Sequence, residues 1–104
     1  MHITQMNDYL DFEWDDHKAA TNLDKHGVSF ESAANAFSDP YARVAFDVKH
    51  SDDEERFFLI GMDLEARVLT VCYCERCKGR RIRIISARQS TKTEAQQYWR
   101  YRNE

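Results

Sequence analysis

The 104-residue sequence contains one proline and three glycines, so collagen-like and flexible-linker segments are not expected. It has no apolar run near the roughly 20 residues that a membrane-spanning helix needs. Its first residues contain neither the basic start nor the apolar stretch of a signal peptide, so we expect none. Three cysteines without such a signal are typical of reduced thiols, not of a disulfide framework. We therefore expect a single domain over residues 1–104 that is cytoplasmic and does not contact a membrane.

Charge is unevenly distributed along the chain, although the formal net charge is only −3. Residues 7–16 carry five acids and no Lys or Arg, whereas residues 76–88 carry six Lys or Arg and no acid. This polarity indicates either two faces with different partners or two ordinary solvated surfaces.

The first forty residues predict a short strand, FEWD at 12–15, and two helices. Asp15 or Asp16 can cap a helix over residues 17–26 that ends at Gly27. Ser29 can cap a second helix over the segment VSFESAANAF, which ends at Asp39–Pro40.

From residue 41 the apolar period changes to two, which predicts four strands, at 41–48, 56–63, 68–76 and 81–87. Thr91 and Glu94 form a capping box, so a C-terminal helix should follow, and we expect it to bury Ala95, Tyr98 and Trp99. The order predicts an α+β domain with two N-terminal helices, an antiparallel meander sheet and a C-terminal helix, the helices lying against one face of the sheet.

The first helix should have two unlike sides. Helical spacing places together the polar residues Lys18, Asn22, Lys25 and His26, and on a drier side Ala19, Ala20 and Leu23. The two cations at its end can simply complement the helix dipole. Alternatively, the lysine faces a phosphate and the imidazole, which titrates near neutral pH as a class, transfers protons.

The segment KHSDDEER carries His50, Glu54, Glu55 and Arg56, a base, two acids and a cation just before a strand. Such segments are usually solvated turns. This one predicts a site only if it converges in space with the basic strand.

The cysteines Cys72, Cys74 and Cys77 follow the pattern C-x-C-x2-C. Structural zinc requires four ligands, so the fourth would have to be one of the four histidines, His2, His17, His26 and His50. We expect no metal site, and we expect the first two cysteines to be buried strand residues.

The basic strand places Arg81 and Arg83 on one face and Ile82 and Ile84 on the other, with Arg88 at its end. Arginine suits bidentate contact with phosphate. The other interpretation is an edge strand protected by charge.

Three ordered segments resemble the BrnT-type toxins of bacterial type II toxin–antitoxin systems. They are FEWD with the following Lys18-x3-Asn22-x2-Lys25-His26-Gly27-Val28-Ser29-Phe30, then HSDDEERFFLIG at 50–61, then RIISAR at 83–88 with Glu94 and Tyr98 after it. The resemblance covers about residues 12–98. The sequence departs from the pattern at Gln89–Ser90, where a basic residue and Ala are common, and in its cysteine-rich strand end.

The resemblance implies a compact RelE-like toxin domain and a ribonuclease that cuts RNA and inhibits translation. It also implies a BrnA-type ribbon-helix-helix antitoxin, through which the toxin would reach operator DNA only indirectly. Carried over by position, it implies catalytic roles for Lys25, His26, His50, Glu55, Arg56, Arg76 and Arg88. We expect further RNA or phosphate contacts from Lys18, Arg81 and Arg83.

Metal-free RNA cleavage requires a base for the 2′-OH, cations for the phosphorane and an acid for the leaving 5′-oxygen. We expect Glu55 or His26 to be the base, and the other of these or His50 to be the acid, without any cofactor. Two other classes compete. One is a catalytically inactive module that only binds an antitoxin and takes part in operon repression. The other, an independent DNA-binding domain, is less favoured because no predicted recognition helix is conspicuously basic.

Overall fold

The computed structural model describes residues 2–5, 10–50 and 54–104, and of residues 2–5 and His50 it describes the backbone alone. Its elements in chain order are β1 (His2–Gln5), β2 (Asp11–Trp14), α1 (Asp16–His26), α2 (Phe30–Ala36), β3 (Arg43–Phe46), β4 (Arg56–Met62), β5 (Val68–Arg76), β6 (Arg81–Gln89) and α3 (Lys92–Arg102). A short 3-10 turn, Val48–His50, follows β3. Within the described ranges no helix has the length and apolar character needed to cross a bilayer.

The strands form one mixed sheet in the order β1-β2-β6-β5-β4-β3. Strands β3 to β6 pair antiparallel with their neighbours in sequence, which confirms the predicted meander. Strand β2, however, runs parallel to β6 with Glu13 opposite Arg83, and β1 pairs antiparallel with β2. The prediction of a wholly antiparallel sheet is therefore wrong at this edge, because pairing across 70 residues leaves no trace in local periodicity.

The helix ends follow the predicted chemistry. The carboxylate of Asp15 and the hydroxyl of Ser29 accept hydrogen bonds from the first-turn N–H groups of α1 and α2. Gly27 ends α1 with φ of 69°, a left-handed conformation that glycine adopts without steric cost. Thr91 and Glu94 form the reciprocal capping box of α3. These local signals are confirmed.

Helix α2 packs on one face of the sheet against β4, β5 and β6, and α1 packs against β6, with the main core beneath them. Aromatic rings meet edge-to-face within it, with Phe37 5.1 Å from Phe12 and 5.0 Å from Tyr73 between ring centroids. The buried residues around them include Trp14, Val28, Phe30, Leu59, Leu69, Val71, Ile82, Ile84 and Ala87.

Helix α3 lies on the opposite face of the sheet, so the expectation that the helices share one face is wrong. Its buried Tyr98 lines a depression with Arg43, Val44 and Ala45 of β3 and Phe58 and Ile60 of β4. Polar contacts hold it there: the Tyr98 hydroxyl donates to Asp39 at 2.6 Å and accepts from Arg102 at 3.1 Å. Of the three residues expected to be buried, Ala95 is half-buried and Trp99 is 41% exposed.

Candidate functional site

The edge of β6 is shared between a strand and a helix. Strand β2 pairs with β6 only as far as Arg83, and beyond that point α1 takes its place. The Asn22 amide nitrogen donates to the Ala87 carbonyl at 2.8 Å, and the Ala87 N–H donates to the Asn22 carbonyl oxygen at 3.1 Å. The same amide nitrogen donates to the carbonyl of Val28 at 2.9 Å. One buried side chain thus anchors α1 to the sheet.

This anchor overturns part of the expected helix orientation. Asn22 was expected on the polar side, but it is only 7% exposed and is the one buried residue of α1. Leu23, expected on the packed side, is 50% exposed, and Ala20 is exposed as well. The amide can be buried because its hydrogen bonds are satisfied by backbone groups.

A depression of about 330 Å³ runs between α1 and this edge of β6. We call it the α1 groove, and it is lined by His17, Lys18, Thr21, Asn22, Lys25, His26, Ile85 and Ser86. Three predicted site residues, Lys18, Lys25 and His26, therefore lie together. Four of the lining side chains are Lys or His and none is Asp or Glu, so the groove suits an anionic ligand.

His17 is the groove residue that sequence reasoning missed, since it was considered only as a possible metal ligand. It lies one turn before Thr21 and two turns before Lys25, and residues at this spacing share a helix face. Its neighbour Asp15 caps the helix with hydrogen bonds from the N–H groups of His17 at 2.8 Å and Lys18 at 3.1 Å. Spacing from the cap could have placed His17 beside the lysines.

A second depression, the hairpin groove, lies where β4 begins and β5 ends. It is lined by Glu54, Glu55, Phe57, Glu75, Arg76, Cys77, Lys78 and Gly79. It shares no lining residue with the α1 groove, so the structure does not bring Glu55 and His26 into one depression. Arg76 forms an ion pair with Glu54 at 3.0 Å, and three carboxylates face two cations here. This charge balance does not favour phosphate.

The arginines of β6 are paired with acids from other elements. Arg83 lies 3.2 Å and Arg81 3.9 Å from the buried carboxylate of Glu13 on β2. The predicted placement of both arginines on one face is confirmed, with Ile82 and Ile84 buried on the other.

Arg88 binds Glu94 with two hydrogen bonds, of 2.7 and 3.1 Å. Glu94 also accepts from the Thr70 hydroxyl and from the backbone of Thr91. The Arg88 guanidinium, followed by these other donors, lowers the pKa of Glu94 to about 2. Arg88 thus links the last strand to α3, a structural task that sequence reasoning did not assign to it.

Arg56 lies opposite Cys74 in the β4–β5 ladder, and both Cys72 and Cys74 are buried as expected. Burial, followed by the nearby Glu54 carboxylate, raises the pKa of Cys74 to about 11. Cys77 is exposed in the hairpin turn. Among the residues that the structure describes, no three His, Cys, Asp or Glu side chains are placed to hold a metal ion. The side chain of His50 lies outside the described part of the chain.

The family model described as "Ribonuclease toxin, BrnT, of type II toxin-antitoxin system" matches residues 14–94. Among solved structures, the chain is similar to the ribonuclease toxin BrnT of Brucella abortus, with 24% sequence identity and a TM-score of 0.58, covering 78% of this chain and 96% of that one. At this identity the likeness shows the fold. A comparison with curated protein sequences gives no match. The family model spans well over half of the residues, and the chain therefore belongs to the family of BrnT ribonuclease toxins of type II toxin–antitoxin systems.

Proposed function

We propose that this chain is a metal-independent endoribonuclease that cuts RNA in the cytoplasm and so inhibits translation. The observation that carries the proposal is the α1 groove, in which two lysines and two histidines lie without a carboxylate among its lining residues. Family membership makes RNA the substrate class to consider. A groove of this charge attracts a phosphodiester, and its imidazoles are the side chains best suited to move protons near neutral pH.

The mechanism uses the groove alone. One imidazole, from His17 or His26, takes the proton of the ribose 2′-OH, whose oxygen attacks the adjacent phosphorus. Lys18 and Lys25 stabilise the charge that develops on the phosphorane oxygens. The same imidazolium then gives that proton to the leaving 5′-oxygen. The products are a 2′,3′-cyclic phosphate and a free 5′-hydroxyl, and no cofactor takes part.

The remaining predicted residues receive different roles. Arg88 is assigned to holding α3, because Glu94 already occupies its guanidinium on two sides. Arg81 and Arg83 are assigned to contacts with RNA outside the groove, where the Glu13 carboxylate offsets part of their positive charge. The catalytic roles of four other residues stay predictions from the sequence. Two of these residues, Glu55 and Arg76, lie in the hairpin groove, and the others are Arg56 and His50.

A type II toxin implies an antitoxin partner. We infer that it is a BrnA-type ribbon-helix-helix protein that neutralises this toxin and carries the complex to operator DNA. We also infer that the fold of this chain is that of a compact RelE-like toxin domain.

The test is cleavage of a defined single-stranded RNA by the purified chain in the presence of EDTA. We expect cleavage, with 2′,3′-cyclic phosphate at the new ends. Of the separate His17→Ala and His26→Ala variants, the one that removes the proton-transfer group should lose about 10²–10⁴ in rate. Lys92→Ala, at an exposed position on α3, is the matched control and should keep the wild-type rate.

Three results would contradict the proposal. Activity that is lost in EDTA and restored by Zn²⁺ or Mg²⁺ would rule out metal independence. Full activity in both histidine variants, with loss in Glu55→Ala, would move the chemistry to the hairpin groove. Intact RNA together with tight antitoxin binding would favour the inactive binding module.

A further inference from the structure

Strand β3 is an exposed edge of the sheet. It pairs with β4 on one side, and it is the last strand in the sheet order among the described residues. Edge strands direct every second N–H and C=O outward, where another chain can pair with them. All four residues of β3 are exposed.

The usual protections of an edge are few here. The strand RVAF contains no proline and one charge, and its register with β4 continues without interruption from Arg43 to Phe46. Its apolar side chains are exposed to solvent: Val44 is 57% and Phe46 is 48% exposed, and Val48, two residues after the strand, is 79% exposed. Exposed apolar side chains along a free edge mark an interaction surface.

The two faces of β3 differ in chemistry. Val44 and Phe46 lie opposite Leu59 and Phe57 and share their face, and the Phe46 ring lies 5.6 Å from that of Phe57. This face is apolar.

On the other face, Arg43 lines a depression of about 190 Å³ with its neighbours Val44 and Ala45 and with residues of β4 and α3, and no acid is among them. Its guanidinium lies 4.5 Å above the ring of Tyr101, which holds it at the rim. An incoming strand would therefore meet apolar side chains on one face and a fixed cation on the other.

We propose that the free edge of β3 binds an extended segment of the antitoxin as an added strand. Because side chains of a strand alternate between faces, the segment should alternate apolar residues, packed on Val44 and Phe46, with a carboxylate that pairs with Arg43. This inference rests on the antitoxin partner of the proposed function, but it does not depend on RNA cleavage.

The test uses this chain and the antitoxin encoded in the same operon, with their dissociation constant measured by calorimetry. Phe46→Lys should raise it by about tenfold or more, since an apolar anchor at the centre of an interface is lost. The matched control, Leu64→Lys, alters a residue that is 83% exposed in the β4–β5 turn and should leave the constant unchanged. Both variants should keep the wild-type circular dichroism spectrum.

Charge is tested separately. Arg43→Glu should weaken binding about five- to thirtyfold, whereas Arg100→Glu, an exposed change two residues from Tyr98 on α3, should not. Hydrogen exchange should show the amides of residues 43–46 becoming protected in the complex.

The outcomes separate the two proposals. Absence of any antitoxin binding would overturn the proposed partner itself. Tight binding that ignores Phe46→Lys and Arg43→Glu, without protection of β3, would overturn the edge-strand inference alone. A chain that dimerises by light scattering until Phe46 is replaced would assign the edge to a second copy and also overturn it.

Discussion

Asn22 and Ala87 exchange hydrogen bonds of 2.8 and 3.1 Å, as two residues of paired strands would. The side-chain amide of Asn22, a helix residue, thus makes the hydrogen bonds to β6 that a peptide group of a neighbouring strand would make. Because Lys18, Lys25 and His26 belong to the same helix, these two hydrogen bonds set how the three side chains lie along the edge.

Replacing Asn22 by Ala should destabilise the protein by about 2–4 kcal/mol, since the buried N–H of Ala87 and the carbonyls of Ala87 and Val28 lose their partner. Chemical denaturation measures this. Thr21→Ala, one residue earlier and exposed, should change the free energy of unfolding by under about 0.5 kcal/mol. Equal stability of the two variants would contradict the anchoring role.

The paired variant Lys18→Ala, Lys25→Ala should bind single-stranded RNA more weakly and with less dependence on salt. Each lost phosphate contact lowers the slope of log K against log salt by about 0.7 for a single strand. Affinities measured at several salt concentrations give the slope. Lys92→Ala serves as control, and an unchanged slope in the double variant would place the phosphate elsewhere.

The Arg88–Glu94 pair should make stability depend on acid pH. Since the pKa of Glu94 in the folded chain is lowered from 4.5 to about 2, its contribution is complete above about pH 4.5 and is lost as the pH falls toward 2. Glu94→Gln keeps a side chain that can complete the capping box but cannot titrate.

At neutral pH this variant should therefore be less stable than the wild type, by on the order of 1 kcal/mol, because Arg88 is 39% exposed and solvent screens the pair. The difference should shrink between pH 4.5 and 2 in thermal melts. Glu31→Gln, at an exposed residue of α2, should show no comparable convergence. A constant gap for Glu94→Gln across this range would refute the linkage.

Glu13→Gln should affect stability and RNA binding in opposite directions. It leaves Arg81 and Arg83 without the carboxylate that lies 3.9 and 3.2 Å away, so the free energy of unfolding should fall by about 1–3 kcal/mol. RNA affinity should rise several-fold, because the arginine charges are no longer offset. Lower stability with unchanged affinity would show that the two arginines serve the fold alone.

The three cysteines should differ in reactivity. Cys74 is buried with a pKa raised to about 11, and Cys72 is buried with a raised pKa, whereas Cys77 is exposed. Because the thiolate is the reactive form, iodoacetamide at neutral pH should modify one site in the native protein. Mass spectrometry of the wild type and Cys77→Ser measures this, and rapid labelling of the serine variant would contradict the burial.

Sequence reasoning succeeded where the cause is local. The caps formed by Asp15, Gly27 and the Thr91–Glu94 pair each act within one helical turn, so they could be predicted from neighbouring residues. The meander could be predicted because its strands are consecutive. The pairing of β2 with β6 could not, since Glu13 and Arg83 are 70 residues apart and either could have faced solvent.

In the candidate site, too, features with a local cause could be predicted and those with a long-range cause could not. Lys18, Lys25 and His26 could be grouped from helical spacing, and the groove confirms that they lie together. The burial of Asn22 could not be predicted, because polar residues are usually exposed. It can be buried because backbone groups of β6 satisfy its hydrogen bonds. The ion pair between Arg88 and Glu94 could not be predicted, because the capping box already accounts for the Glu94 carboxylate.

The contact between α1 and β6 also decides when the α1 groove can form. The α1 groove has one wall from the start of the chain and one from β6, and Asn22 meets Ala87 across 65 residues. Contacts of such long sequence separation form late in folding, because the loop between them must close first. A nascent or truncated chain that lacks β6 has no groove, so the proposed RNA cleavage should begin only once the fold is complete.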